Sequence, residues 1–171
     1  MGAIRRALHA MLFGSRSGIA GSVYGAIVVM GTLTAGSAGG ERHAWKLATV
    51  TTGTVIVLWL AHVYSHSLGE SLERERAVTR REFAAIARRE SSIPLAAAAP
   101  IAMLVLGAVG VLHESTAVWL ALAVGVATLA AAGMRYARAE RLGRSATIVA
   151  VGVNMALGLA IVAMEAAFRL H

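Results

Sequence analysis

Five stretches of this chain contain no Asp, Glu, Lys or Arg: residues 17–40, 47–69, 91–113, 115–134 and 145–164. They run to 24, 23, 23, 20 and 20 residues. A helix rises about 1.5 Å per residue, so each stretch can cross the roughly 30 Å hydrocarbon core of a bilayer. Soluble domains interleave charge along their surface helices, and this chain does not. Charged residues make up 15% of it and hydrophobic ones 57%, with a mean hydropathy of +0.68. The expected fold is all-α: a polytopic integral membrane protein, one domain over 1–171, with five transmembrane helices. The spans are expected at about 18–38, 47–68, 93–112, 115–134 and 145–168.

The arginines between these runs orient them. Arg5, Arg6 and Arg16 precede span one, six arginines lie between spans two and three, and four lie between spans four and five. These thirteen fall on one side, against Arg42, Lys46 and Arg169 on the other. The positive-inside rule then puts the N-terminus in the cytoplasm and the C-terminus outside, with a bacterial plasma membrane as the expected location. The net charge of +7 is thus mainly a topology signal. No basic arm with interleaved aromatics is present, so nucleic acid is not an expected partner. With no Cys, disulfides, thiolate metal sites and cysteine nucleophiles are all excluded. The first residues read as an uncleaved interfacial helix over 2–13, with Ile4, Leu8, Met11 and Leu12 toward one side.

Span one is lined with small residues, including Gly21 and Gly25 four apart, a spacing that lets helix backbones approach closely. Tight packing and a pore-lining role both fit that pattern. Span three opens at Ser92-Ile93-Pro94, where Pro needs no backbone donor, and Pro100 is expected to kink it.

Span two carries the informative polar residues. His62, His66 and Glu70 follow at intervals of four, which places them in a stripe about 80° wide with about 6 Å between steps. Ionisable side chains in a bilayer are costly unless they face protein or water. Two imidazoles and a carboxylate suit a first-row divalent metal, and histidine also suits proton relay. A plainer reading makes His66 and Glu70 interfacial and bonds His62 to a neighbouring helix. Tyr24 in span one lies at comparable depth on the expected opposite wall. Histidines at one depth occur on one helix only, so a haem cofactor is not expected. Beyond Gly69 the helix is expected to continue over 69–92 as a charged amphipathic cytoplasmic segment. Glu70→Arg74 and Glu73→Arg76 would pair along it, and Leu72, Phe83 and Ile86 would rest at the headgroups. A metal-collecting role for Glu73 and its neighbours is the sharper alternative.

In layout, the chain resembles the vacuolar iron transporter family. The likeness rests on five spans, a Gly-rich first span, and a second span entering a charged cytosolic segment through His66-Ser67-Leu68-Gly69-Glu70-Ser71-Leu72. The resemblance implies a dimeric, proton-coupled exporter of Fe²⁺ or Mn²⁺. Only Glu70 carries over, as the carboxylate of the Gly-Glu pair. Where the family has an Asp beside the glycines of span one, this chain has Val23-Tyr24-Gly25.

The functional expectation is a small transporter, possessing no resident cofactor and passing a divalent metal ion along Tyr24, His62, His66, Glu70 and Glu73. A homodimer within the lipid bilayer is the expected state. The alternative is a non-transporting accessory or scaffold subunit of a larger membrane complex. No Ser/His/Asp set, H-E-x-x-H or paired-carboxylate motif is present, so an enzyme is not expected.

Overall fold

The computed structural model describes residues 16–38 and 43–170, and the expected interfacial helix over 2–13 lies outside them. Among the described residues there is no strand. Six helices follow in order: α1 (Arg16–Ala38), α2 (Ala44–Glu73), α3 (Arg80–Arg89), α4 (Ser92–Ala108), α5 (Glu114–Ala139) and α6 (Arg144–Leu170). Four of them, α1, α2, α5 and α6, are long and apolar enough to cross a membrane. With 17 residues, α4 reaches that length only together with α3, to which it is joined at a 47° bend. The architecture is compatible with a multi-pass membrane protein of four or five spans.

The first helix is the centre of the bundle. Half of its apolar stretch is buried, at 50%, against 6% for α6. Its Ala26, Val29, Met30 and Leu33 meet Leu104 of α4 and Leu122 and Leu129 of α5 in the core. The small residues of α1 explain the closeness. A Cβ on Gly25 would come within 2.5 Å of the Ile93 carbonyl oxygen, and one on Gly21 would overlap the Ser92 hydroxyl. The Gly21/Gly25 face is therefore filled by the start of α4 within one chain, which favours the packing reading of that spacing. In α5, Gly133 plays the same part against the Ala150 carbonyl of α6, at 2.9 Å from a built Cβ. Several hydroxyls inside the helices bond back to their own backbone, as Ser22 does to the Gly18 carbonyl at 2.7 Å.

Three helices end in the same way. In each, the second residue past the cap donates to the carbonyl five positions earlier, and the residue before it donates to the carbonyl three positions earlier. The pairs are Arg76 N to Ser71 O with Glu75 N to Leu72 O, then Val111 N to Leu106 O with Gly110 N to Gly107 O. The last is Leu142 N to Ala137 O with Arg141 N to Arg138 O. The left-handed residues are Glu75 (φ 51°), Gly110 (φ 77°) and Arg141 (φ 52°).

Two boundaries differ from expectation because of these stops. Span three was expected to reach 112, but Gly110 turns the chain and α4 ends at Ala108. The charged segment over 69–92 was expected as one helix, but it breaks after Glu73 and restarts at Arg80. The restart has its own cap: the Thr79 hydroxyl accepts from Glu82 N at 3.4 Å, and Glu82 Oε2 accepts from Thr79 N at 2.8 Å. α4 is continuous through Pro100, and the sharp bend of this region falls ahead of it, between Arg89 and Ser92. The end of the bundle where α2 turns into α3 is termed the elbow end below.

Candidate functional site

The site forms at the elbow end from α1, α2 and the α3–α4 junction. Tyr24 of α1 and His62 of α2 meet ring against ring, with centroids 4.6 Å apart and planes tilted by 43°. One turn on, the His66 ring centroid lies 6.3 Å from that of His62. Nδ1 of His66 is 3.1 Å from the His62 carbonyl oxygen. A carbonyl only accepts, so Nδ1 is the donor in this bond. The same Nδ1 lies 3.9 Å from Oε1 of Glu90.

Glu90 belongs by sequence to the carboxylates of the charged segment, and nothing there ties it to His66. It caps the C-terminus of α3 and is only 6% exposed, while His66 beside it opens to solvent. Its Oε1 also accepts from Arg89 Nε at 3.3 Å. A charged side chain buried at a helix junction must keep such partners, because an unpaired carboxylate loses its hydration for nothing. The signal in the sequence was position: Glu90 is the last charge before span three, on the same side of the expected membrane as His66. Two residues further on, the Ser92 hydroxyl is buried against α1 and has no hydrogen-bond partner.

The expected site residues divide into two groups. Tyr24, His62 and His66 are brought together, in a line completed by Glu90. Glu70 turns away to Arg74, whose Nη2 is 3.3 Å from its Oε2, and Glu73 is exposed at the end of α2. The expected Glu70–Arg74 pair is present, but Arg76 pairs with Glu82 in place of Glu73. Among the described residues, no group of three or more His, Asp or Glu side chains is placed to hold one metal ion. The histidine stripe is continuous as a line and divergent as a ligand set.

Beyond the line stands a compact charged knot. Glu82 Oε1 accepts from Arg74 Nη1 and Arg76 Nη2, each at 2.6 Å, and Oε2 accepts from the Thr79 hydroxyl at 2.8 Å. The Arg76 hydrogen bond, followed by the Thr79 backbone and hydroxyl donors, holds the Glu82 carboxyl far below the usual carboxylate range. The same contact with Glu82 raises the Arg76 guanidinium above its usual value. The knot ties the end of α2 to the start of α3, and α3 carries Glu90 to His66.

Chemically, the line offers a phenol, two imidazoles and a buried carboxylate drawn from three elements. Neighbouring groups of this kind can exchange protons through short hydrogen-bonded steps or one intervening water. No protein-family model, no curated protein and no solved structure matches this chain.

Proposed function

We propose that this chain is a small multi-pass membrane transporter in which Tyr24, His62, His66 and Glu90 carry protons at the cytoplasmic end of the bundle. The observation that carries the reading is the run from the Tyr24–His62 ring contact to the His66–Glu90 approach at 3.9 Å. Ionisable groups at membrane depth mark ion and proton pathways by default. The coupled cargo is a divalent metal of the Fe²⁺ or Mn²⁺ kind, as the resemblance to vacuolar iron transporters implies. His62 and His66 supply nitrogen donors to it one at a time along the line. The arginines of the α2–α4 and α5–α6 connections lie at the elbow end and support a cytoplasmic placement of that end and of the N-terminus, with the bacterial plasma membrane as the proposed location.

The test is flux in proteoliposomes loaded with a pH-sensitive dye, with Mn²⁺ or Fe²⁺ supplied outside. Wild-type protein is expected to move protons against a metal gradient, and the His62→Ala/His66→Ala double variant to be inactive. Equal flux in the two proteins would overturn the assignment.

A second reading, a non-transporting accessory or scaffold subunit of a larger membrane complex, draws on α6. Its apolar surface is almost wholly uncovered, with Ile148, Val149, Val153, Leu157 and Leu159 exposed. Purification in mild detergent separates the two: a stoichiometric larger partner supports the accessory role, and a clean homodimer supports the transporter.

A further inference from the structure

Two apolar grooves flank the elbow end of the α5–α6 hairpin. The first, of about 560 Å³, lies between α1, α5 and α6, with Ile19, Val23, Ile27 and Ala132 on its walls. The second, of about 600 Å³, is walled by Leu142, Ala146, Val149 and Val153. Tyr136 and Asn154 line both, so one narrow ridge separates the two troughs. At this end the chain turns between α5 and α6, and Arg138, Arg141 and Arg144 are exposed on the turn. Glu140 lies between them and lines the first groove, so the turn from 138 to 144 keeps a net charge of +2. None of the three is in an ion pair with another described residue. Arg141 even occupies a left-handed position (φ 52°), where glycine is the usual and least strained choice.

We propose that this end of the hairpin is a binding site for one anionic diacyl phospholipid. Its two chains lie in the two grooves, astride Tyr136 and Asn154, and its phosphate is held by Arg138, Arg141 and Arg144. Three features on one element select this occupant. Paired apolar troughs that share Tyr136 and Asn154 match the two chains of one lipid, whereas a peptide helix or a single small ligand needs only one trough. The excess of guanidinium groups on the adjoining turn matches a phosphate carrying net negative charge, since basic pockets between membrane helices recognise anionic headgroups. Tyr136, half-exposed between the grooves, is the amphipathic ring that favours the headgroup level. The first groove also reaches Tyr24, so a bound chain lies against the ring that stacks on His62. The site requires only that the protein sit in a bilayer and stands whether or not the protein transports.

The experiment is native mass spectrometry of the full chain, delipidated in detergent and re-equilibrated with phosphatidylglycerol or phosphatidylcholine of the same acyl composition. One phosphatidylglycerol per chain is expected to survive, retained at least about tenfold better than phosphatidylcholine, as three arginines near one phosphate imply. The Arg138→Gln/Arg141→Gln/Arg144→Gln variant is expected to lose that preference, and the matching triple Lys variant to keep it. Val149→Trp, which fills one groove without changing charge, is expected to weaken retention of either lipid. Equal retention of the two lipids, an unchanged preference in the Gln variant, or loss of the preference in the Lys variant would overturn the site.

Discussion

Nδ1 of His66 stands between two acceptors: the His62 carbonyl oxygen of its own helix at 3.1 Å and the Glu90 carboxylate of the neighbouring elbow at 3.9 Å. The nearer bond holds the ring in place, and the farther group supplies charge. Glu90→Gln preserves the shape of the side chain and removes its charge. Proton flux in proteoliposomes is expected to fall by about a hundredfold, the low end of what a positioned acid or base contributes. The unfolding temperature is expected to stay at the wild-type value. Wild-type flux in this variant would remove Glu90 from the path.

The glycines of α1 and α2 give a paired test of the packing. Gly25→Ala drives a methyl into the Ile93 backbone and is expected to cost about 1–3 kcal/mol, the usual range for overpacking. At Gly53 of α2 a Cβ meets nothing within 4 Å, so Gly53→Ala is expected to stabilise by up to about 1 kcal/mol through helix propensity. Thermal or denaturant unfolding in detergent reads both signs.

Acid is expected to loosen the elbow late. The folded pKa of Glu82 is depressed, so its contribution is present above the ordinary value of 4.5 and is lost only as pH falls through the lower folded value. Hydrogen exchange at Thr79, Glu82 and Phe83 should therefore stay protected as pH is lowered to about 4.5. The Glu82→Gln variant should lose that protection already at neutral pH. Protection that collapses between pH 7 and 5 in the wild type would contradict the geometry of the knot.

Much of the helical layout was legible because hydrocarbon leaves little freedom: long charge-free runs have to be helices, and they are. Tyr24 and His62 were placed on facing walls by depth alone, and their rings touch. The break after Glu73 was hidden for a specific reason. A left-handed stop normally announces itself by glycine, as at Gly110, but here it is built on Glu75 and stabilised by backbone bonds that leave no residue signature. The restart was readable, since Thr79-Arg80-Arg81-Glu82 has the capping-box spacing. Glu90 was missed because helical periodicity along α2 says nothing about which later residue the elbow folds back toward His66.

That stop carries its own expectation. Replacing a left-handed Glu by Gly removes a steric cost of roughly 1–2 kcal/mol and adds a smaller entropic one. Glu75→Gly is expected to raise stability by about 0.5–1 kcal/mol, and Glu75→Ala to give no gain. Urea unfolding of the two variants in detergent decides between them.

The absence of Cys makes topology directly accessible. Ser115→Cys, just after the start of α5, is expected to react with a membrane-impermeant maleimide in intact cells. Arg81→Cys on α3 is expected to react only after permeabilisation. Ser115 lies beside the start of α2 and Arg81 beyond its end, so labelling of both from the same side would contradict a membrane-crossing α2.

At the end opposite the elbow, Oε1 of Glu114 accepts from Ala44 N at 3.3 Å, so a side chain of α5 caps the start of α2 across seventy positions. This bond fixes a pivot. With α2 pinned at Ala44, any tilt of that helix is amplified along its length. His66 lies 22 residues, or about 33 Å, away, so a tilt of about 5° moves its ring by about 3 Å. A motion that small at the pivot is enough to part His66 from Glu90 or to bring the two into direct contact, leaving the Ala44–Glu114 end in place in both positions.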